Sequence, residues 1–223
     1  MLAAAGPAAA QTITDARYTQ PVTRYRHDAL GPGHEWGALD LVLEGGQRLR
    51  FTLPETLVFE DTAPRLADLT GDGRPEVLVV ESSLTLGSRL AVYSPKGRMA
   101  ATAHIGARNR WLAPVGAADL DGDGTLEVAY VETPHLGKLL KVVHLSDGSL
   151  LPVAELPGLT NHHLGSAVIE GAILSCGSSA VMLVADAGWG QVMAVRLEQG
   201  VLVATPFRPY EGPDSFTDLP ICN

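Results

Sequence analysis

The chain has 223 residues, enough for one well-packed domain, and with 46% of them hydrophobic against 18% charged it is no unfolded acidic tail. Sixteen Lys and Arg against 25 Asp and Glu leave a formal charge of −9, which argues against a nucleic-acid backbone binder or a protein held on an anionic membrane. No run approaches the roughly 18 apolar residues of a membrane-spanning helix, so no membrane insertion is expected, and 24 Gly with 15 Pro favour short strands joined by turns.

Read from the N-terminus, residues 1–10 place Ala8 and Ala10 before Gln11 in the small-x-small pattern of a cleavage site, without a basic n-region. They read as the end of a secretory signal, with a disordered terminus as the alternative, so a periplasmic or secreted location is expected. Residues 11–223 read as one domain. Thr23 to Glu55 has the length of three strands but no acidic loop.

The chain then repeats itself. Leu66 to Ser82 (LADLTGDGRPEVLVVES) returns as Ala117 to Thr133 (AADLDGDGTLEVAYVET), with Asp68 and Asp119 separated by 51 residues. Each Gly-Asp-Gly loop leads into a strand-like run, Val77 to Val80 and Val128 to Val131. Two further strand-like runs follow each: Arg89 to Gly97 and Met99 to Ile105 in the first copy, Lys138 to Gly148 and Leu150 to Leu156 in the second. With a short strand before the loop, the unit holds four strands, the content of one propeller blade. Ser166 to Gly188 is a degenerate third copy whose loop has lost its acids, with Cys176, Gly177 and Ser178 in the place of Asp123, Gly124 and Thr125.

These units predict an all-β fold, a small β-propeller of four-stranded antiparallel blades, four in number, near 23–59, 60–109, 110–160 and 161–207. The tail 208–223, through Ser215 to Pro220, is expected to supply the missing inner strand of the first blade and close the ring. Cys176 and Cys222 suit either one disulfide that pins this tail or two free thiols.

The acidic loops carry the clearest chemistry. Asp119, Asp121, Asp123 and Glu127 stand at relative positions 1, 3, 5 and 9, with the carbonyl of Thr125 at position 7. Hard oxygen ligands in this number suit calcium, and four carboxylates without an ion would repel one another. The first loop offers Asp68, Thr70, Asp72 and Glu76 with the carbonyl of Arg74, and its neutral Thr70 predicts weaker binding. Two calcium sites are therefore expected, the Asp119–Glu127 site the stronger.

DLTGDGRPEV and DLDGDGTLEV resemble the calcium loops of the FG-GAP or VCBS-type repeat, the blade unit of integrin alpha-chain propellers and of many bacterial exported proteins. The resemblance is clear over about 60–158 and weaker over 23–207. It implies a calcium-stabilised, non-enzymatic binding or scaffold module with a protein or glycan partner.

A shift of 51 residues from Trp111 lands on Glu60 and His162, which places Glu60, Arg110, Trp111, His162 and His163 on one rim as candidate ligand-binding residues. No nucleophile or metalloprotease motif is present, so no enzyme is expected. The alternatives are an assembly subunit without a small ligand, or a hydrolase with its site at His162 and His163.

Overall fold

The computed structural model describes residues 11–177 and 179–217. The signal-like residues 1–10 and Cys222, and with it the choice between a Cys176–Cys222 disulfide and two free thiols, lie outside them. Among the described residues, seventeen strands form three antiparallel sheets of eight, four and five strands.

The eight-stranded sheet begins with β1 (Ile13–Pro21), β2 (Glu35–Leu43) and β3 (Arg48–Thr52). It continues through the short β4 (Leu57–Glu60) and β5 (Arg65–Ala67) to β6 (Glu76–Ser83), β7 (Gly87–Ser94) and β8 (Gly97–Ala101). β4 joins the halves, pairing β2 at Glu35 and Trp36 and β6 at Ser83 to Glu81. The sheet curls so that Leu39, Leu41 and Leu43 of β2 meet Val77 and Val79 of β6 in one enclosed core.

The four-stranded sheet comprises β9 (Leu112–Ala118), β10 (Glu127–Glu132), β11 (Leu139–Ser146) and β12 (Ser149–Pro157). The five-stranded sheet comprises β13 (Leu159–Thr160), β14 (Ala172–Cys176), β15 (Ser179–Asp186), β16 (Gln191–Glu198) and β17 (Val201–Pro209). A second core, with Leu78, Val80, Val128 and Tyr130, fills the space between the first two sheets. A third, with Ala129, Val131, Met182 and Val184, fills the space between the last two.

Successive side chains of a strand point to opposite faces. The central strands β6, β10 and β15 therefore feed one core with even positions and another with odd ones. That double burial is why they read as unbroken apolar runs.

The closed four-bladed propeller expected from the repeats is not what forms. The chain makes three sheets, one of them half open and curled. The reason lies in the two faces that closure would have to join. The outer face of β1–β3 carries Asp15, Arg17, Asp40, Arg48 and Arg50, with Arg50 bridging Asp40 through both carboxylate oxygens at 2.6 and 2.7 Å. The far face of the last sheet is apolar, with Val181, Leu183, Ala185 and Val192. A charged face does not bury an apolar one without leaving ions desolvated.

The described part of the tail covers that apolar face itself. Pro213–Phe216 is a 3₁₀ turn, not a strand of the first unit, and Phe216 packs into the Val181, Leu183 and Val192 cluster. Residues 218–220 of the expected closing strand lie outside the described residues.

The segment 107–110, which leads into β9, is seated on Gly87. Ser88 donates its N–H to the Arg110 carbonyl at 2.7 Å. Gly87 has φ 73°, and a Cβ there would fall 2.6 Å from the Arg110 carbonyl oxygen and closer still to that of Ala107. Gly87→Ala is expected to cost about 3 kcal/mol from clash and backbone strain together, and a urea melt measures it; an unchanged midpoint would overturn this account of the seat.

Candidate functional site

The ends of the central strands differ in chemistry. Where β6 and β10 begin lie the two acidic loops; where they end lies a cluster of histidines, buried carboxylates and aromatic rings. The two ends are roughly 20 Å apart, the length of a six-residue strand at ~3.3 Å per residue.

In the second loop Asp119, Asp121 and Glu127 bring a carboxylate oxygen each to within 4.8 Å of one another. Gly122 and Gly124 donate their N–H groups to Asp119 at 2.7 and 3.0 Å, and Leu120 donates to Glu127 at 2.9 Å. These bonds aim the carboxylates. Burial pushes the Glu127 carboxyl up, and the charges of Asp121 and Asp123 push it the same way, as expected of acids gathered around a point. The donor set, all carboxylate oxygen on a tight loop, suits a hard cation. Asp123, also expected as a ligand, accepts the Thr125 N–H at 2.7 Å and its hydroxyl at 2.6 Å through one oxygen, Oδ1, and its Oδ2 has no partner among the described residues.

The first loop has the same backbone clamp, with Leu69 donating to Glu76 at 3.0 Å and Gly73 to Asp68 at 2.8 Å. Its carboxylates do not gather. Asp72 is paired with the guanidinium of Arg74, and Thr70 donates to Glu76 at 3.4 Å. Among the described residues the structure thus assembles one acidic cluster where two calcium sites were expected.

At the opposite end, Glu60 closes β4 with its side chain 1% exposed. His27, from the loop between β1 and β2, donates Nδ1–H to Glu60 Oε1 at 2.6 Å; Ser82 donates to Oε2 at 2.5 Å and in turn accepts from Ser88 at 2.6 Å. Burial raises the Glu60 carboxyl, and its two donors pull it back. Trp111, before β9, donates its indole N–H to the Glu60 carbonyl at 2.9 Å. The indole stacks on His135 and meets His162 edge-on, at 6.1 and 4.8 Å between centroids.

Hydrogen-bond partners assign the tautomers. The Ser166 carbonyl only accepts, so His162 Nε2 carries the proton across 2.8 Å. His162 Nδ1 is then the acceptor for His135 Nε2–H at 2.8 Å. His135 is left with a bare Nδ1 that has no protein partner among the described residues and is not sealed from solvent. With Nδ1 committed to Glu60, His27 likewise keeps Nε2 free of a partner among them. Burial lowers the His135 imidazole to about 4, and the neighbouring imidazoles His162, His27 and His163 add to that.

His163 stacks on Trp189 at 3.7 Å between centroids. It donates Nε2–H to the Tyr210 hydroxyl at 3.3 Å, which donates onward to buried Glu170 at 2.9 Å. Burial raises the Glu170 carboxyl and pushes the Tyr210 phenol up to about 12.

Of the five rim candidates, Glu60, Trp111, His162 and His163 come together here. Arg110 does not: it is exposed, and its guanidinium makes no hydrogen bond to the described residues. Sequence spacing does not find His27, His135, Glu170, Trp189 or Tyr210. They come from five separate loops, and no spacing rule connects them.

An FG-GAP-like repeat model matches residues 68–130, which span both acidic loops and the strands between them. The resemblance is thus narrower than the 23–207 expected. No protein of curated function matches the chain in sequence. Among solved structures it is similar to the exotype rhamnogalacturonan lyase YesX, with a TM-score of 0.50 and 14% identity over 79% of this chain. The chain spans 40% of that lyase's length.

The expectation of a non-enzymatic binding or scaffold module does not stand against these findings. The chain is similar in fold to a lyase, and Asp119, Asp121 and the buried Glu127 gather in the manner of a metal site. The sequence shows no carboxylate beside His162 and His163; folding supplies Glu170 there and Glu60 one ring away.

His135 and His162 both have lowered imidazole values. The unfolded chain therefore binds protons first, and stability falls as pH drops from 6.5 toward about 4, the span over which His135 differs. Thermal melts across this window should show that slope, and His135→Gln should flatten it. His135 titrating near 6.5 by NMR would contradict the buried, neutral assignment.

Proposed function

We propose that this chain cleaves a glycosidic bond of a rhamnogalacturonan-like polysaccharide by proton abstraction at the histidine-lined end, with calcium in the acidic loops as a structural ion. The observation that carries the reading is the bare, neutral Nδ1 of His135, a base held in one tautomer by the His162 and Ser166 relay. The substrate in the name of the lyase of similar fold, a rhamnogalacturonan, supports the substrate class.

Elimination fits the groups better than hydrolysis. Glycoside hydrolysis ordinarily uses two carboxyl groups facing the bond, whereas Glu60 and Glu170 are buried and engaged by His27, Ser82 and Tyr210. His135 Nδ1 takes the proton from the carbon beside the sugar carboxyl. That electron pair forms the carbon–carbon double bond, the glycosidic C–O bond breaks, and the leaving oxygen takes a proton from water, the hydroxide so formed being neutralised by the proton that His135 took up.

Incubation with rhamnogalacturonan should release reducing ends together with the ultraviolet absorbance of unsaturated sugars. His135→Ala should lower the rate by about 100-fold or more, the usual share of a general base. Reducing ends without absorbance would replace elimination by hydrolysis, and no product from the unaltered chain would overturn the reading.

For calcium, the second loop holds the ion through Asp119, Asp121 and Glu127, with the Thr125 carbonyl and Asp123 completing the set. The first loop binds more weakly through Asp68, Thr70, Asp72, Glu76 and the Arg74 carbonyl, because Arg74 competes for Asp72. Calorimetry should resolve two ions, and Asp121→Asn should remove the tighter one. At 100-fold excess over Kd the tighter ion adds about 2.7 kcal/mol of stability; an unchanged melting temperature with and without chelator would remove calcium from the account.

A further inference from the structure

The four-stranded sheet does not close completely against the sheet before it. Residues 102–105 continue β8 along β7, with Thr102 donating its N–H to the Leu90 carbonyl and Ile105 to that of Ser88. Between them and β10–β12 lies a cleft of about 610 Å³, within the size range of small-molecule pockets. The reaction proposed above does not use it.

Its floor is apolar, with Val143 and Leu150 of the core between the first two sheets. Its polar groups are mostly acceptors. Tyr130 is 4% exposed, yet its hydroxyl makes no hydrogen bond to the described residues, although buried tyrosine hydroxyls usually find a partner. Tyr18 also lacks a partner but is sealed in the core, whereas Tyr130 opens on the cleft. His104 donates Nδ1–H to the Gly87 carbonyl at 2.7 Å, which leaves Nε2 as a bare acceptor, and burial keeps the ring neutral.

Tyr130, Lys141 and Glu155 are direct cross-strand neighbours. Lys141 is committed to Glu132, 3.0 Å from both carboxylate oxygens. Glu155 has no cationic partner among the described residues. With Lys141 set against Glu132, the lining carries one net negative charge, from Glu155.

We infer that this cleft binds a small organic amine, with an apolar body on the floor and an ammonium directed to Glu155, His104 Nε2 and the Tyr130 hydroxyl. An ammonium is the compact group that brings several N–H donors to several acceptors and matches the net charge. An anionic ligand meets Glu155 and Glu132 and has no free cation to pair with.

Cyclohexylamine, cyclohexanol and cyclohexanecarboxylate present one apolar body with three head groups. Titrated into the full chain and followed by NMR of the Tyr130 and His104 rings, the amine should bind saturably, the alcohol more weakly and the carboxylate not at all. Glu155→Gln should weaken the amine about tenfold, the effect of losing one charged hydrogen bond. Tyr130→Phe, which keeps the packed ring, should also weaken it. Equal binding of all three probes, no binding of the amine, or an unchanged amine affinity in both variants would overturn the inference.

Discussion

A carboxylate buried without a lysine or arginine beside it is the constraint around which the histidine end is organised. Glu60 sits where β4 pairs with both β2 and β6, so it lies at the junction of the two halves of the curled sheet. An isolated buried charge is far costlier than the stability of a domain allows, so its oxygens must be filled by donors. His27 and Ser82 fill them, and Trp111 takes the carbonyl of the same residue. Because Trp111 leads into the next sheet, that node also sets where β9 starts. Its indole in turn fixes the rings of His135 and His162.

The same economy explains the sheets. A four-stranded unit with one central apolar strand cannot cover both faces of that strand alone, so units stack in chain order and share cores. The central strands and the outer hairpins of the repeat were legible in the sequence, because double burial writes itself as continuous Val and Leu. Global closure was not legible. It depends on whether two faces far apart in the chain match, and here Arg17, Asp40 and Arg50 on one side oppose a surface already occupied by Phe216 on the other. Repeat counting carries no information about that match.

The site was half legible for a related reason. Glu60, Trp111 and His162 occupy one register position in successive units, so a single period of 51 residues finds them. His27 lies in a loop before the repeat begins, and His135 in a turn that has no histidine in the other copy. Tautomers were beyond any sequence reading, since the direction of the His135 to His162 bond follows from a carbonyl of Ser166 that only folding brings there. The acidic loops show the converse limit. Their spacing made two similar sites visible, yet Arg74, in the place that Thr125 holds in the second loop, turns a carboxylate away from the centre of the first.

The two ends of the central strands are mechanically linked through those strands. Glu127 is the first residue of β10, clamped by the Leu120 N–H, and β10 runs without interruption to Glu132, one turn before His135. An ion held in the loop would therefore remove freedom from the strand that leads to His135, at a distance from the histidines themselves. The His135 tautomer depends on loop spacing, since the relay through His162 to the Ser166 carbonyl holds only while the two loops that carry these residues stay in place. The separation of the two ends would also keep the charge of a cation in the acidic loop away from His135, whose neutrality is set by burial and by neighbouring imidazoles.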